Sequence, residues 1–349
     1  MLTLGIETSC DETSASVVAD GRRVLSNIVL SQILQHRPFG GVVPELASRC
    51  HVEAMPGILE EAVMTAGVAW SHIDAIAVTR GPGLASSLLI GVSAAKALGM
   101  SLGKPVLGIH HHEAHVYSVF LEGAHTAPEP DEVCPLLSLL VSGGHSILVR
   151  MNGVGSYEVL GQTIDDAAGE CLDKGANLLK LGYPGGPAIE RAVLGGDPTA
   201  FKFPRGNVQG DVGAGRNHLD GRYCFSFSGL KTSLLYHVKR NPGLFEDGSL
   251  KDVAASYQEA VFDALIERVE RALDAGTYKA FACVGGVARN QRLRAKLQSV
   301  ATSYSLPLLV TDPEFCTDNA AMIAGLAGAR GLSPTPTLDV DPNWPLSDV

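Results

Sequence analysis

The order of predicted strands and helices repeats once along this chain of 349 residues, and the repeat restricts the possible folds more than any other feature. Each half is predicted to run strand, loop, strand, turn, strand, then an insert, then strand, glycine-rich loop, helix, strand and helix. Neither half can cover both faces of its sheet without its own helices. The sequence therefore predicts an α/β protein of two similar domains that face a common cleft.

The repeat also predicts where the domains begin and end. We expect the first domain to span residues 1–125 and to be completed by a C-terminal helix at 318–330. The second domain should span 126–317 and carry a helical insert at 161–275. Proline recurs in residues 331–349, so this tail should lie extended on the surface.

Four histidines lie together at a predicted strand-to-helix junction. The apolar run 105–109 is followed by HHHEAH at 110–115, and the residues after it suit a helix. On a helix His111 and His115 are four residues apart, so they share a face with Cβ atoms about 5–6 Å apart. Two imidazoles at that spacing can bind one divalent cation. The alternative is a crowded patch of polar helix residues without a ligand.

A third metal ligand is expected from the far end of the chain. Asp318 follows the apolar run 306–310 and precedes the last predicted helix, as the histidines do in the first half. A pseudo-twofold repeat would therefore bring Asp318 to His111 and His115. Two histidines and one carboxylate leave open positions on a metal, as a catalytic site requires. The alternative is that Asp318 only caps the last helix.

Three loops are candidates for holding a phosphate or the reacting groups. Glycines at 142–144 and 285–286 let backbone N–H groups approach an anion closely. In the loop at 8–13, Asp11 and Glu12 could orient a cation, a water or an amine, or they could only cap a turn. Neither GxxxxGK[ST] nor GxGxxG occurs, so a nucleotide would have to be held in the cleft.

Charge and cysteine usage exclude several classes of protein. The net charge of −10 argues against binding nucleic acid by bulk electrostatics. The seven cysteines form no CxxC pair, so we expect neither a disulfide framework nor a thiolate metal site. We expect a cytoplasmic location for the same reason. The N-terminus lacks the features of a signal peptide. No apolar run of membrane-spanning length is expected, and no membrane association.

Nine sequence blocks together resemble one known family. The chain is similar, from about residue 2 to residue 329, to the tRNA N6-adenosine threonylcarbamoyltransferases (TsaD, formerly Gcp and called O-sialoglycoprotein endopeptidase). That family has the duplicated actin/Hsp70/sugar-kinase fold (ASKHA, RNase H-like). The blocks are GIETSCDETS at 5–14, GGVVPELASRCH at 40–51, the His111/His115 pair, LVSGGH at 140–145, IDDAAGECLDK at 164–174, YPGGP at 183–187, FSFSGLKT at 225–232, GGVARN at 285–290 and CTDNAAMIA at 316–324.

The resemblance implies an activity and its substrates. Enzymes of this family transfer a threonylcarbamoyl group from threonylcarbamoyl-AMP to N6 of adenosine 37 in tRNAs that read codons beginning with A, and release AMP. It implies that ATP or ADP can occupy the donor pocket. It also implies helper proteins, namely a non-catalytic TsaB-like paralogue and a small TsaE-like ATPase.

The resemblance further assigns residues to roles. It places a metal, usually iron, on His111, His115 and Asp318, although the chemistry needs no redox step and zinc is possible. Asp11 or Glu12 is our choice of proton acceptor for the adenine amine, with His145 behind them. The residues implied to bind the donor are Leu140, Val141, Ser142, Gly143, Gly144, Asp173, Gly186 and Asn290.

Three other functions remain open at this stage. A metallopeptidase would need the motif HExxH. His112 is followed by a glutamate, but the residue four positions after it is Val116 and not a histidine. His111 has a histidine four positions after it, but the next residue is His112 and not a glutamate. A small-molecule kinase of the same fold would leave the histidine pair unexplained. A nucleotide-binding scaffold without chemistry would tolerate loss of His111.

Overall fold

The computed structural model describes residues 1–123, 126–213, 218–246, 248–331, 335 and 337–348, so the predicted domain end at 125 and part of the predicted tail lie outside it. The described strands are β1 Leu2–Glu7, β2 Glu12–Ala19, β3 Arg23–Ser31, β4 Ala75–Gly81, β5 Val106–His110, β6 Leu136–Val141, β7 Ser146–Gly153, β8 Ser156–Gln162, β9 Asp211–Val212, β10 Leu219–Asp220, β11 Ala280–Val284 and β12 Leu308–Val310. The described helices are α1 Ile33–His36, α2 Pro44–Thr65, α3 Ala85–Leu102, α4 His111–Tyr117, α5 Pro130–Val133, α6 Ala168–Leu178, α7 Gly185–Ala192, α8 Ser228–Arg240, α9 Leu250–Ala275, α10 Gln291–Ser303 and α11 Ala320–Arg330.

Two five-stranded sheets share one strand order. The first sheet runs β3-β2-β1-β4-β5, and the second runs β8-β7-β6-β11-β12. In each sheet the central strand is antiparallel to the strand that follows it in sequence and parallel to its neighbour on the other side. The last two strands of each sheet are also parallel. The predicted α/β class and its repeated element order are confirmed, whereas the cleft stays a prediction.

The chain divides into two units. The first consists of Met1–Val133, Asn152–Tyr157 and Thr311–Val349. The second consists of Cys134–Met151 and Glu158–Val310. The first sheet lies in the first unit, and most of the second sheet lies in the second unit. The helix α11 belongs to the first unit.

Glycine at position 5 lets α11 lie directly on the first sheet. A Cβ atom at Gly5 would lie 2.3 Å from the carbonyl oxygen of Ala320, which is closer than real Cβ contacts allow. The neighbouring side chains of Leu4 and Ile6 on β1 are fully buried. This packing brings the start of α11 to the sheet, and with it the nearby residue Asp318, which lies just before the helix.

The described part of the C-terminal tail runs along the same unit. The N–H of Thr335 donates to the carbonyl of Val106 at 3.2 Å. Farther along, the N–H of Asp341 donates to the carbonyl of Arg80 at 2.9 Å, and the Arg80 guanidinium lies 4.9 Å from the centre of the Trp344 ring. These contacts attach the tail to β4 and β5.

The second unit is built around the long helix α9. Its apolar positions, including Tyr257, Val261 and Leu265, are buried at four-residue spacing, as expected for an amphipathic helix. Arg268 on the same helix is 1% exposed, and its guanidinium donates to the carbonyls of Gly206 and Cys224. A buried arginine needs hydrogen-bond partners, and these two backbone carbonyls supply them. The bonds anchor the segment before α8 to α9.

One helix, α3, is long and apolar enough to cross a membrane by length and composition alone. The expectation that no apolar run reaches that length therefore needs correcting for this helix. A single helix of this kind is a weak indication of a membrane span, because core helices pass the same test. In the first unit, Leu88, Val92 and Ala95 of α3 are buried.

Candidate active site

The junction of β5 and α4 places two histidine rings side by side. The side chain of His110 caps α4 by accepting a hydrogen bond from the N–H of Glu113 at 3.3 Å. Every residue of the short helix is buried. His111 and His115 are one turn apart on it, and their ring centres are 4.7 Å apart. The helical spacing that predicted a shared face is confirmed for this pair.

Asp318 completes a group of three ligand-bearing side chains. Its Oδ1 atom lies 3.0 Å from Nε2 of His115 and 3.6 Å from Nε2 of His111. One ligand atom from each of the three residues lies within 4.8 Å of the others. All three residues belong to the first unit.

The role of N-cap falls to the next residue, so the alternative interpretation of Asp318 is wrong. The side chain of Asn319 accepts a hydrogen bond from the N–H of Met322 at 3.2 Å and thereby caps α11. Asn319 is fully buried, whereas the Asp318 side chain is 18% exposed. With the cap supplied by its neighbour, the Asp318 carboxylate is directed at the two imidazoles.

The donor set and its spacing suit a divalent cation. Metal–nitrogen and metal–oxygen bonds of about 2.0–2.2 Å with tetrahedral angles place ligand atoms about 3.4 Å apart. The distances from the Asp318 carboxylate to the two imidazole nitrogens, 3.0 and 3.6 Å, bracket that value. The histidine–histidine–aspartate group can therefore bind a metal, as the sequence predicted.

A buried glutamate that the sequence analysis missed lies behind His111. Glu7, at the end of β1, is fully buried, and its Oε2 lies 3.1 Å from Nδ1 of His111. Burial alone would lower the pKa of His111, but the carboxylates of Asp318 and Glu7 raise that pKa to about 9. A charged residue that ends an otherwise apolar buried strand was the signal in the sequence that could have identified Glu7.

Asp11 lies in the loop between β1 and β2 of the first unit and is 9% exposed. Glu12 is the first residue of β2. Burial, and then the negative charges of Asp11 and Asp318, raise the pKa of the Glu12 carboxyl well above its usual value. Glu12 is therefore electrostatically coupled to the metal-binding group.

A second buried histidine holds this acidic loop in place. His51 of α2 is fully buried and is bonded through Nε2 to the carbonyl of Cys10 at 3.0 Å. Its Nδ1 lies 2.8 Å from the hydroxyl of Thr13. The ring thus bridges the residues on both sides of Asp11 and Glu12, a role that the sequence analysis did not assign.

The two predicted glycine-rich loops lie side by side in the second unit. Leu140 and Val141 are buried at the end of β6, while the glycines at 143 and 144 are exposed. A Cβ atom at Gly285, which has a φ of +94°, would lie 2.3 Å from the carbonyl oxygen of Val141. The carbonyl of Ser142 accepts a hydrogen bond from the N–H of Gly169 at 3.2 Å, so the start of α6 contacts the first of these two loops.

The three remaining predicted donor residues also lie in the second unit. Asp173 accepts a hydrogen bond from the N–H of Gly185 at 2.6 Å at the start of α7. The side-chain oxygen of Asn290, Oδ1, accepts from the N–H groups of Arg292 and Leu293 and caps α10. Gly186 faces open space, because a Cβ atom added there would have no neighbouring atom within 4 Å. Asp173 and Asn290 therefore have structural contacts besides any role in binding.

Comparison of the sequence with known families decides the identity. The family model described as tRNA N6-adenosine threonylcarbamoyltransferase matches residues 23–325. The chain belongs to the tRNA N6-adenosine threonylcarbamoyltransferase family. A protein of that name from Anaeromyxobacter dehalogenans (strain 2CP-C) is 49% identical over 348 residues, which cover 98% of this chain and 99% of the relative. Another, from Geobacter sp. (strain M21), is 48% identical over 352 residues, covering 100% and 98%.

Two solved structures are similar in fold. HypF from T. kodakarensis matches with a TM-score of 0.57 and 17% identity, over 93% of this chain and 47% of that chain. Component A of the (R)-2-hydroxyglutaryl-CoA dehydratase of Acidaminococcus fermentans matches with a TM-score of 0.52 and 14% identity, over 95% and 98%. At these identities the similarity concerns the fold alone, and it agrees with the predicted duplicated α/β fold.

Membership in the threonylcarbamoyltransferase family confirms the predicted enzyme class. The chain is a transferase that forms threonylcarbamoyladenosine in tRNA, so tRNA is its substrate. The family's name describes a transferase. It does not match any of the three alternative functions, which were a small-molecule kinase, a metallopeptidase and a scaffold without chemistry. The histidine–histidine–aspartate group is the part of the first unit that fits a metal-dependent enzyme.

Proposed function

We propose that the donor in this reaction is threonylcarbamoyl-AMP and that the acceptor is N6 of adenosine 37 in tRNAs reading codons that begin with A. AMP would leave as the carbamoyl–phosphate bond breaks and the new carbon–nitrogen bond forms. The observation that carries this proposal is the group formed by His111, His115 and Asp318 in a chain of this family. The same resemblance favours iron as the metal, with zinc possible.

The metal group would hold one cation through His111, His115 and Asp318. When bound, the cation would supply Lewis acidity that makes the donor carbonyl more electrophilic. The three side chains leave further coordination positions open for substrate. The carboxylate offsets part of the cation's charge, and burial of both imidazoles excludes water from their side of the site.

Glu12 is the proposed proton acceptor, supported by Asp11. The exocyclic amine of adenine is barely basic, so it attacks as the neutral amine and loses its proton as the bond forms. Burial and the negative charges of Asp11 and Asp318 raise the pKa of Glu12, which makes this carboxylate a stronger proton acceptor than an exposed glutamate. His145, in the second unit, is the weaker candidate.

The proposed donor pocket is formed by residues of the second unit. Backbone N–H groups of the adjacent glycine-rich loops would hold the phosphate. The open space at Gly186 would accept part of the nucleoside, and Asp173 would bind its ribose hydroxyls. Asn290 would act by fixing the loop that it caps. Residues proposed to contact the donor directly are Leu140, Val141, Ser142, Gly143 and Gly144.

The proposed cellular setting follows from the resemblance. We infer a cytoplasmic enzyme that works with a TsaB-like non-catalytic paralogue and a small TsaE-like ATPase. ATP or ADP could occupy the donor pocket between reaction cycles.

The test is tRNA modification in vitro with both helper proteins supplied. Wild type should form threonylcarbamoyladenosine at position 37, and His111→Ala and Asp318→Ala should lose nearly all of that activity. His72→Ala replaces an exposed histidine of the same unit and should behave as wild type. Full activity of both metal-group variants would refute the metal role, and modification at another position would refute the proposed acceptor.

A further inference from the structure

We propose that Glu7 is a positioning residue of the metal centre, because its carboxylate holds the proton on Nδ1 of His111 and thereby makes Nε2 the ligand atom. The inference rests on the metal site proposed above. It concerns a residue that contacts neither the cation nor the substrate but acts through His111.

The sheet itself brings Glu7 to His111. The strands β1, β4 and β5 are parallel neighbours, with Ile6 beside Val78 and Thr79 beside Ile109. The residues that end these strands therefore meet at one edge. Glu7 ends β1, Thr79 lies near the end of β4, and His111 is the first residue after β5.

The other contacts of the Glu7 carboxylate fix its orientation. The Thr79 hydroxyl donates to Oε2 at 2.6 Å, and the N–H of Ser9 donates to Oε1 at 2.5 Å. Glu7 is fully buried, so these bonds are made away from water. A carboxylate held at both oxygens has little freedom to rotate, and its Oε2 remains 3.1 Å from Nδ1 of His111.

The direction of the hydrogen bond then determines the histidine tautomer. The Glu7 carboxylate already accepts a hydrogen bond at each oxygen, from the N–H of Ser9 and from the hydroxyl of Thr79, and a carboxylate can only accept hydrogen bonds. The Nδ1 atom of His111, 3.1 Å from Glu7 Oε2, is therefore the donor in that bond. The Ser9 hydroxyl lies 3.2 Å from the same nitrogen, and it can accept as well as donate, so it does not require a lone pair on Nδ1. In a neutral imidazole the other nitrogen, Nε2, then carries the lone pair, and Nε2 is the atom that lies 3.6 Å from Asp318.

The two metal histidines differ in this respect. Among the described residues, no hydrogen-bond partner is found for Nδ1 of His115, which is buried. His111 is thus oriented by a carboxylate, whereas His115 is oriented by the packing of α4. Carboxylate–histidine–metal arrangements raise the basicity of the ligand, and loss of the carboxylate typically weakens metal binding by about 10–100-fold.

A second buried glutamate provides a matched control. Glu113 is fully buried and lies on α4 between the two metal histidines. Its carboxylate pairs with Arg330 at 3.1 Å and makes no hydrogen bond to His111 or His115 in the described structure. Glu113→Gln therefore removes a buried charge near the site without removing support from a ligand.

The experiment measures zinc affinity by competition with a chelator in full-length wild type, Glu7→Gln, Glu7→Asp, Glu113→Gln and His111→Ala. We expect the two Glu7 variants to bind zinc about 10–100-fold more weakly than wild type, and Glu113→Gln to bind as wild type does. Glu7→Asp keeps the charge but withdraws the carboxylate by one methylene, so it separates the hydrogen bond from the charge. Melting of the metal-free proteins checks that each variant folds.

A second readout reports the tautomer directly. In the zinc-loaded protein with 15N-labelled histidine, wild-type His111 should carry its proton on Nδ1 and the metal on Nε2. The opposite assignment would overturn the inference even if affinity falls, because a purely structural effect of Glu7 would not specify a nitrogen.

The outcomes separate this inference from the proposal on which it rests. If His111→Ala loses zinc while both Glu7 variants bind it as wild type does, the metal site stands and the role of Glu7 is wrong. If wild type and His111→Ala bind zinc equally, or neither binds it, the metal site and the role of Glu7 both fail. Loss of affinity in Glu113→Gln equal to that in Glu7→Gln would also contradict the specific role of Glu7.

Discussion

The Oδ1 atom of Asp318 lies 3.0 Å from Nε2 of His115, although the two residues are 203 positions apart in the sequence. His115 lies on α4, and Asp318 lies just before α11. Both helices belong to the same unit. Asn319 takes the capping role at α11, so the Asp318 carboxylate is available to the imidazoles. The following predictions test what this arrangement does.

Removing the negative charge of Asp318 should weaken metal binding. Loss of a residue that supports a metal ligand typically weakens metal binding by roughly 10–100-fold. We expect Asp318→Asn to weaken zinc binding by more than this, because the substitution alters a proposed ligand itself. Zinc should then raise the melting temperature of wild type far more than that of the variant. Asp131→Asn, at an exposed site in the same unit, is the control. Equal zinc-induced shifts for all three proteins would contradict the prediction.

Glu12→Gln should slow the reaction without releasing the metal. Loss of a general base typically lowers kcat by about 10²–10⁴-fold. Zinc affinity should change much less than in Asp318→Asn, because Glu12 is not one of the three ligands. Steady-state modification rates and chelator competition on the same preparations check both points. Glu53→Gln changes an exposed glutamate of α2 and should have wild-type rates; an unchanged kcat in Glu12→Gln would transfer the role to another group.

Two glycines of the second unit should respond oppositely to alanine. At Gly285 a Cβ would meet the Val141 carbonyl at 2.3 Å and φ is +94°, so Gly285→Ala should lower the free energy of unfolding by about 2–4 kcal/mol. At Gly186, within α7, there is open space, so Gly186→Ala should be neutral or stabilise by up to about 1 kcal/mol.

The same pair tests the proposed donor pocket. If the space at Gly186 receives the donor, Gly186→Ala should raise the KM for threonylcarbamoyl-AMP while the protein remains as stable as wild type. Urea denaturation and donor titrations measure the two effects separately. A stable Gly186→Ala enzyme with wild-type KM would place the donor elsewhere.

Acid should loosen the loop that carries Asp11 and Glu12. Burial lowers the pKa of His51, although its bond to the Cys10 carbonyl acts in the opposite direction. Between that lowered pKa and about 6.5, the unfolded chain binds more protons than the folded chain, so stability falls as pH falls. Melting temperatures should therefore decline less between about pH 7.5 and 5.5 in His51→Gln than in wild type. His72→Gln, at an exposed site, should follow wild type; parallel curves for all three would contradict this role of His51.

The fold and the grouping of His111, His115 and Asp318 could be predicted because both follow from patterns in the sequence. Apolar runs and glycine-rich turns repeat in the same order, and each half forms a sheet with the same strand order. His111 and His115 follow from helical spacing, which a single sequence displays directly. Asp318 followed from the repeat, which relates the ends of the two halves.

The contacts that sequence could not supply are those between distant segments. Nothing local shows that Glu7 reaches His111, 104 positions away, or that His51 bonds to the carbonyl of Cys10. Nor could the pattern show which of two adjacent polar residues, Asp318 or Asn319, caps α11, since both types are good N-caps. The structural contacts of Asp173 and Asn290 likewise depend on how the helices of the second unit pack.

The most direct test of the metal centre is anomalous X-ray scattering from crystals of the zinc- or iron-loaded protein. The account predicts one anomalous peak about 2.0–2.2 Å from Nε2 of His111, Nε2 of His115 and a carboxylate oxygen of Asp318. A peak remote from these three residues, a peak on Nδ1 of His111, or no peak in metal-saturated crystals would contradict it.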